Sequence, residues 1–194
     1  RPARYATIAP RRGRAAAAVR AAASRNRSSA LAALPFPLRR PHPRMARPIF
    51  AQINLAALAA NVAKAREKAP RAQLLAVVKA DAYGHGLLRV LPALAAADGL
   101  ALLELDAAIR VRDARYSRRI VLLEGFFEAR ELPEIAGARI AVVVHHLDQV
   151  AMLERAVLAR PLEVFVKVNT GMNRLGLAPA DVATVCERLS HAPA

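Results

Sequence analysis

A single cysteine, Cys186, stands among the 194 residues, so no disulfide can close within the chain, and no Cys/His set occurs at metal-ligand spacing. A reducing compartment follows as the default, and a cytoplasmic location is expected. Uninterrupted apolar runs are short, Ile140 to Val144 being typical, against the roughly 20 residues of a membrane helix. No membrane partner is expected. No strand-like run leads into the G-x-G-x-x-G turn that grips a dinucleotide. Acidic residues and lysine are both missing from positions 1 to 44.

That last absence explains the charge. The chain carries a net +15, which on its own suggests a nucleic-acid binder. Residues 1 to 44 hold 11 Arg and no Asp or Glu, leaving 19 basic against 15 acidic residues in 45 to 194. The body is therefore close to neutral, and nucleic acid is not its expected partner. The first 44 residues mix Arg with Ala, Ser and Pro and show no apolar period, so a disordered leader is expected there. Three readings of it stay open: translated sequence upstream of a start at Met45, a targeting peptide, or a nucleic-acid-binding tail.

From Pro48 onward short β-type runs alternate with helical patterns, the mark of βαβ units and a parallel sheet. Ile49 to Ile53 reads as a strand, and Asn54 then caps a helix from Leu55 to about Lys68 ahead of Pro70. Strands follow at Leu74–Lys79, Leu100–Leu103, Ile120–Leu123, Ile140–Val144 and Leu162–Val168. Helices lie between them and run on from Pro179 to Ser190. Five regular units with short turns favour an α/β fold of the partial (β/α)8 TIM-barrel type; a five-stranded flavodoxin-like sheet is the alternative.

The stretch Ala76-Val77-Val78-Lys79-Ala80-Asp81-Ala82-Tyr83-Gly84-His85-Gly86 carries the most chemistry. An apolar strand ends in a lysine and breaks into a glycine-rich loop. At the C-terminal mouth of a barrel strand a desolvated lysine loses its proton readily and can condense with an aldehyde cofactor. Gly84 and Gly86 allow close backbone approach, and Tyr83 offers a phenol to a phosphate. The bland reading, a strand-end lysine reaching solvent ahead of a turn, stays open on these residues alone. His145 and His146 end another strand without a recognised partner, which suits a packing or polar surface role.

The segment from Lys79 to Gly86 resembles the pyridoxal-phosphate attachment signature of bacterial alanine racemases, with Asp81 where that family usually has Asn. A second block, Val166-Lys167-Val168-Asn169-Thr170-Gly171-Met172-Asn173-Arg174-Leu175-Gly176, resembles the family's K-x-[DN]-[ST]-G-M-x-R-L-G pattern. The resemblance runs from Met45 to about residue 190 and implies that 45 to 194 is the N-terminal part of the cofactor-binding barrel, incomplete without further strands and a C-terminal β-domain. It implies pyridoxal 5'-phosphate as cofactor, Lys79 as its covalent anchor and as the base on the D-alanine face, and Tyr83 as a phosphate ligand. It further implies Val77 and Leu123 as cofactor walls, Arg174 on the cofactor and the substrate carboxylate, and Lys167, when carbamylated, as the holder of Arg174. The activity implied is interconversion of L- and D-alanine for peptidoglycan, by a homodimer whose second base lies outside this chain. The competing expectations are a non-catalytic pyridoxal-phosphate binder, or an α/β scaffold whose basic tail binds RNA or lipid.

Overall fold

A computed structural model describes residues 49–194; the expected leader and Met45 lie outside the described residues. The strand expected at 49–53 does not form. Those residues are irregular, and Ile49 and Phe50 are 74% and 84% exposed. Apolar and β-branched residues make a strand only where a neighbouring strand completes the ladder, and among the described residues none does. The first helix, α1 (Leu55–Lys68), begins as its cap dictates: Asn54 Oδ1 accepts the Ala57 amide at 3.0 Å. It buries Val62 and ends with Arg66 and Lys68 against the negative end of its dipole.

Five strands follow, β1 (Leu75–Val77), β2 (Gly99–Leu102), β3 (Arg119–Leu122), β4 (Ala141–Val144) and β5 (Val164–Val166). Between β1 and β2 lie the turn α2 (Lys79–Tyr83) and the helix α3 (Leu87–Val90), which tightens into a 3-10 turn over Leu91–Leu94. The later connections carry α4 (Leu105–Asp113), α5 (Leu132–Gly137) and α6 (Leu147–Arg155), and α7 (Val182–His191) follows β5. All neighbours are parallel, in the order β1-β2-β3-β4-β5. Strictly sequential order is that of a barrel wall. A flavodoxin-like sheet reverses direction after its first crossover and is thereby excluded.

Register assigns every side chain to one of two faces. Leu100, Leu102, Ile120, Leu122, Val142 and Val144, each at most 1% exposed, face the helices and pack with residues such as Leu87, Val111, Leu132, Ile135 and Leu153. The opposite face carries Leu75 with Val121, Ala141 and Val143 in a smaller cluster. There β1 is half-buried rather than buried as its composition suggests: Val77, near the open edge of the sheet, is 43% exposed.

The N-terminal ends of the strands are held by arginines. Arg66, in the last turn of α1, donates to the carbonyls of Ala72 (2.6 Å) and Ala96 (3.4 Å) and pairs with Asp98. Arg118 donates to the carbonyls of Ala95 and Ala97. Arg112, in the last turn of α4, spreads its guanidinium over four carbonyls, those of Ala138 (2.8 Å), Tyr116 (2.7 Å), Arg118 (2.6 Å) and Arg139 (2.7 Å). Arg119 joins Gln73, ahead of β1, to Glu163, ahead of β5.

Candidate functional site

At the C-terminal end of β1 the backbone changes hand. Ala80, Asp81, Ala82 and Tyr83 have φ of 51°, 52°, 56° and 55°, a full left-handed turn built without glycine. Each such residue costs roughly 1–2 kcal/mol relative to the right-handed form. Hydrogen bonds offset this: the Ala82 amide to the Val78 carbonyl (3.0 Å), Gly84 to Ala80 (3.0 Å) and Gly86 to Asp81 (2.9 Å). The side chain of Asp81 accepts the Leu87 amide at 2.7 Å, and the buried Ala82 seats the turn in the core. Lys79 opens the turn and is half-buried, and Tyr83 closes it at 59% exposure. Strain of this kind concentrates where a ligand is gripped.

A second feature stands at the end of β5. The Lys167 amide donates to the Val144 carbonyl (2.8 Å), and a bridge between Val168 and Leu177 closes the neck of the loop 169–176. Asn169 staples that loop from inside: its Oδ1 accepts the amides of Gly171 and Asn173, both at 3.1 Å, and its Nδ2 donates to Asn173 Oδ1 at 2.9 Å. Gly176, at φ +127°, lies so close to the opposite arm that a Cβ would meet the Asn169 nitrogen at 2.6 Å. The neck therefore demands glycine, and the loop holds Arg174 out from the sheet, exposed.

Between these two lies Leu123, half-buried just after β3, its amide donating to the Leu102 carbonyl at 2.8 Å. By alternation Val77, Leu123 and Lys167 extend the face of Leu75, Val121 and Phe165, at the same C-terminal rim as the α2 turn. The predicted residues thus come from three separate strand ends onto one rim. Among the described residues, the side chains of Lys79, Lys167 and Arg174 have no hydrogen-bond or ion-pair partner.

His145 and His146 take the polar roles expected of them: His145 Nε2 lies 3.1 Å from the Glu124 carbonyl, and His146 Nδ1 accepts the Asp148 amide at the start of α6. Sequence reasoning missed Gln149, which is buried. Its amide nitrogen donates to the carbonyls of Glu124 and Phe126, both at 3.0 Å, and its oxygen accepts the His145 amide at 2.9 Å, tying the loop after β3 to the end of β4. A polar side chain inside an otherwise apolar helix face is the signal that could have found it. A cavity of about 860 Å³ lies beside α4 and α5, lined by Leu103, Ile109, Phe127 and Ile135 with a mostly acidic mouth. It contains none of the predicted site residues. Among the described residues no cluster of metal-binding side chains occurs, and no helix is long and apolar enough to cross a membrane.

Residues 53–194 match the family model described as the N-terminal domain of alanine racemase. The chain is 53% identical over 150 residues to an alanine racemase of Nitrosospira multiformis, covering 77% of this chain and 42% of that protein. It is 49% identical, with the same coverage, to one from a Janthinobacterium species. Among solved structures it resembles the biosynthetic alanine racemase of Pseudomonas aeruginosa, with a TM-score of 0.69 and 42% identity over 72% of this chain and 39% of that one. The chain therefore spans about two fifths of the length of the relatives it matches.

Proposed function

We propose, from the premise that this chain belongs to the alanine racemase N-terminal domain family, that it forms the cofactor-binding part of a cytoplasmic enzyme interconverting L-alanine and D-alanine with pyridoxal 5'-phosphate. The observation that carries the reading is the left-handed turn at the end of β1, which sets a lysine and an exposed phenol at the two ends of one rigid turn. The donor set suits the cofactor: an amine for its aldehyde, a phenol for its phosphate, and the apolar Val77 and Leu123 for its ring.

In this reading Lys79 would hold the cofactor covalently, and its Nζ would take or return the Cα proton on the D-alanine face. Tyr83 donates from its hydroxyl to the phosphate. Val77 and Leu123 keep water from the ring, which strengthens the charge interactions around it. Arg174 grips the substrate carboxylate with two parallel N–H donors and also meets the cofactor phenolic oxygen. Lys167, after its neutral amine adds carbon dioxide and releases a proton, presents a carbamate that holds Arg174. Bound pyridoxal phosphate supplies the electron sink that makes the Cα proton acidic. The opposite-face base and the homodimer contacts would belong to the portion of the relatives' length that this chain does not cover.

Borohydride reduction of the full chain after incubation with pyridoxal phosphate tests the anchor. A mass increment on the peptide bearing Lys79, lost in Lys79→Ala, is expected. A chain that takes up the label elsewhere, or nowhere, removes the active-site assignment.

A further inference from the structure

Two polar side chains bear on the left-handed turn: His85 Nδ1, from beyond it, lies 2.7 Å from the Ala82 carbonyl, and one residue within the turn ties it to α3. Ala80 and Ala82 have no polar side-chain atoms, and among the described residues neither Lys79 nor Tyr83 makes a side-chain hydrogen bond. Asp81 does: Oδ1 accepts the Leu87 amide at 2.7 Å while its own carbonyl accepts the Gly86 amide at 2.9 Å. One residue thus takes two successive amides and closes the loop between turn and helix. The far side of the clamp is firm, because α3 is seated in the core through Leu87 and Val90, which are 2% and 1% exposed. The near side needs such an anchor, since four consecutive non-glycine residues are held in a conformation that each alone disfavours.

We infer that Asp81 is a positioning residue, its side-chain oxygen locking the hand of the turn and so fixing where Tyr83 and Lys79 stand relative to each other. The inference rests on the reading that these two residues hold pyridoxal phosphate. Only one carboxylate oxygen is engaged, and an amide oxygen of the same geometry would serve equally. The lock therefore depends on an acceptor at this position and not on its charge.

The test compares the full chain with Asp81→Ala and Asp81→Asn, once thermal melts confirm that each variant folds. Hydrogen exchange without cofactor reads the lock, and titration with pyridoxal phosphate, followed by borohydride-fixed label on Lys79, reads its consequence. In D81A the Leu87 amide is expected to exchange about tenfold faster and the half-saturating cofactor concentration to rise about tenfold, the scale of one lost hydrogen bond. D81N is expected to restore both to near the parent. Unchanged exchange in D81A overturns the lock. Faster exchange with unaltered cofactor affinity overturns the positioning role, and a D81N as impaired as D81A shows that charge rather than an acceptor is needed. A parent chain that takes no label on Lys79 defeats the functional reading instead, while the exchange arm still decides the lock.

Discussion

At the N-terminal ends of the strands Arg66, Arg112 and Arg118 direct their guanidiniums into backbone carbonyls, whereas at the C-terminal ends Lys79, Lys167 and Arg174 have no such partners among the described residues. Chain direction explains the contrast. In a βα unit each helix starts at the C-terminal end of its strand and finishes at the N-terminal end, so free carbonyls gather on one rim and free amides on the other. Cations on the carbonyl rim are drawn to acceptors and helix dipoles alike. On the amide rim the backbone offers them little, so these three cations gain no such backbone contact there.

The contrast predicts that the two sets respond to substitution in different currencies. Lys79→Ala is expected to remove labelling by pyridoxal phosphate and to lower racemase activity, in a complete enzyme carrying this segment, by at least about 10²–10⁴-fold. Its melting should hardly move, because no hydrogen bond is lost. A large loss of stability in K79A would break the division between rims. Arg112→Ala should do the reverse. It strands four carbonyls and empties a half-buried site, for a loss of about 3 kcal/mol in urea unfolding, with labelling of Lys79 retained in the folded fraction. Arg112→Lys should recover only part, since one ammonium cannot reproduce a planar fork spread over four acceptors.

What could be read in the chain beforehand depended on how local its cause was. Asn54 and the helix Leu55–Lys68 were legible to the residue, because a cap and an apolar period are properties of adjacent positions. The five later strands were legible for the same reason. The supposed strand at 49–53 was not, since a strand needs a pairing partner and none lies among the described residues. Within the candidate site the positions of Lys79, Tyr83 and Arg174 followed from motif and strand end. The left-handed turn did not: alanine and tyrosine have no preference for that conformation, and it is imposed by hydrogen bonds closing over residues 78 to 87. The carbonyl-binding role of Arg112 was equally hidden, its acceptors lying 4 to 27 residues away along the chain.

The smallest expected effect probes the N-terminal rim by pH. Asp98 accepts from Arg66 and, at 2.6 Å, from the Leu74 amide; the hydrogen bond from Arg66 first and that of Leu74 second hold its carboxyl below the usual aspartate range. A carboxyl whose pKa is lower folded than unfolded stabilises the fold above the unfolded value, and that contribution is lost as pH falls through the folded one. Urea midpoints measured downward from pH 7 should therefore fall more steeply below about pH 4 in the parent than in Asp98→Asn, whose amide still accepts from Leu74 but cannot titrate. Glu154, held down in the same way by Arg188, acts on both curves alike and cancels from their difference. The gap between the curves should close at the acid end, where the parent has become neutral at this position too. Parallel acid limbs would mean that Arg66 gains nothing from the charge on Asp98, and that the carbonyls of Ala72 and Ala96 alone hold it on this rim.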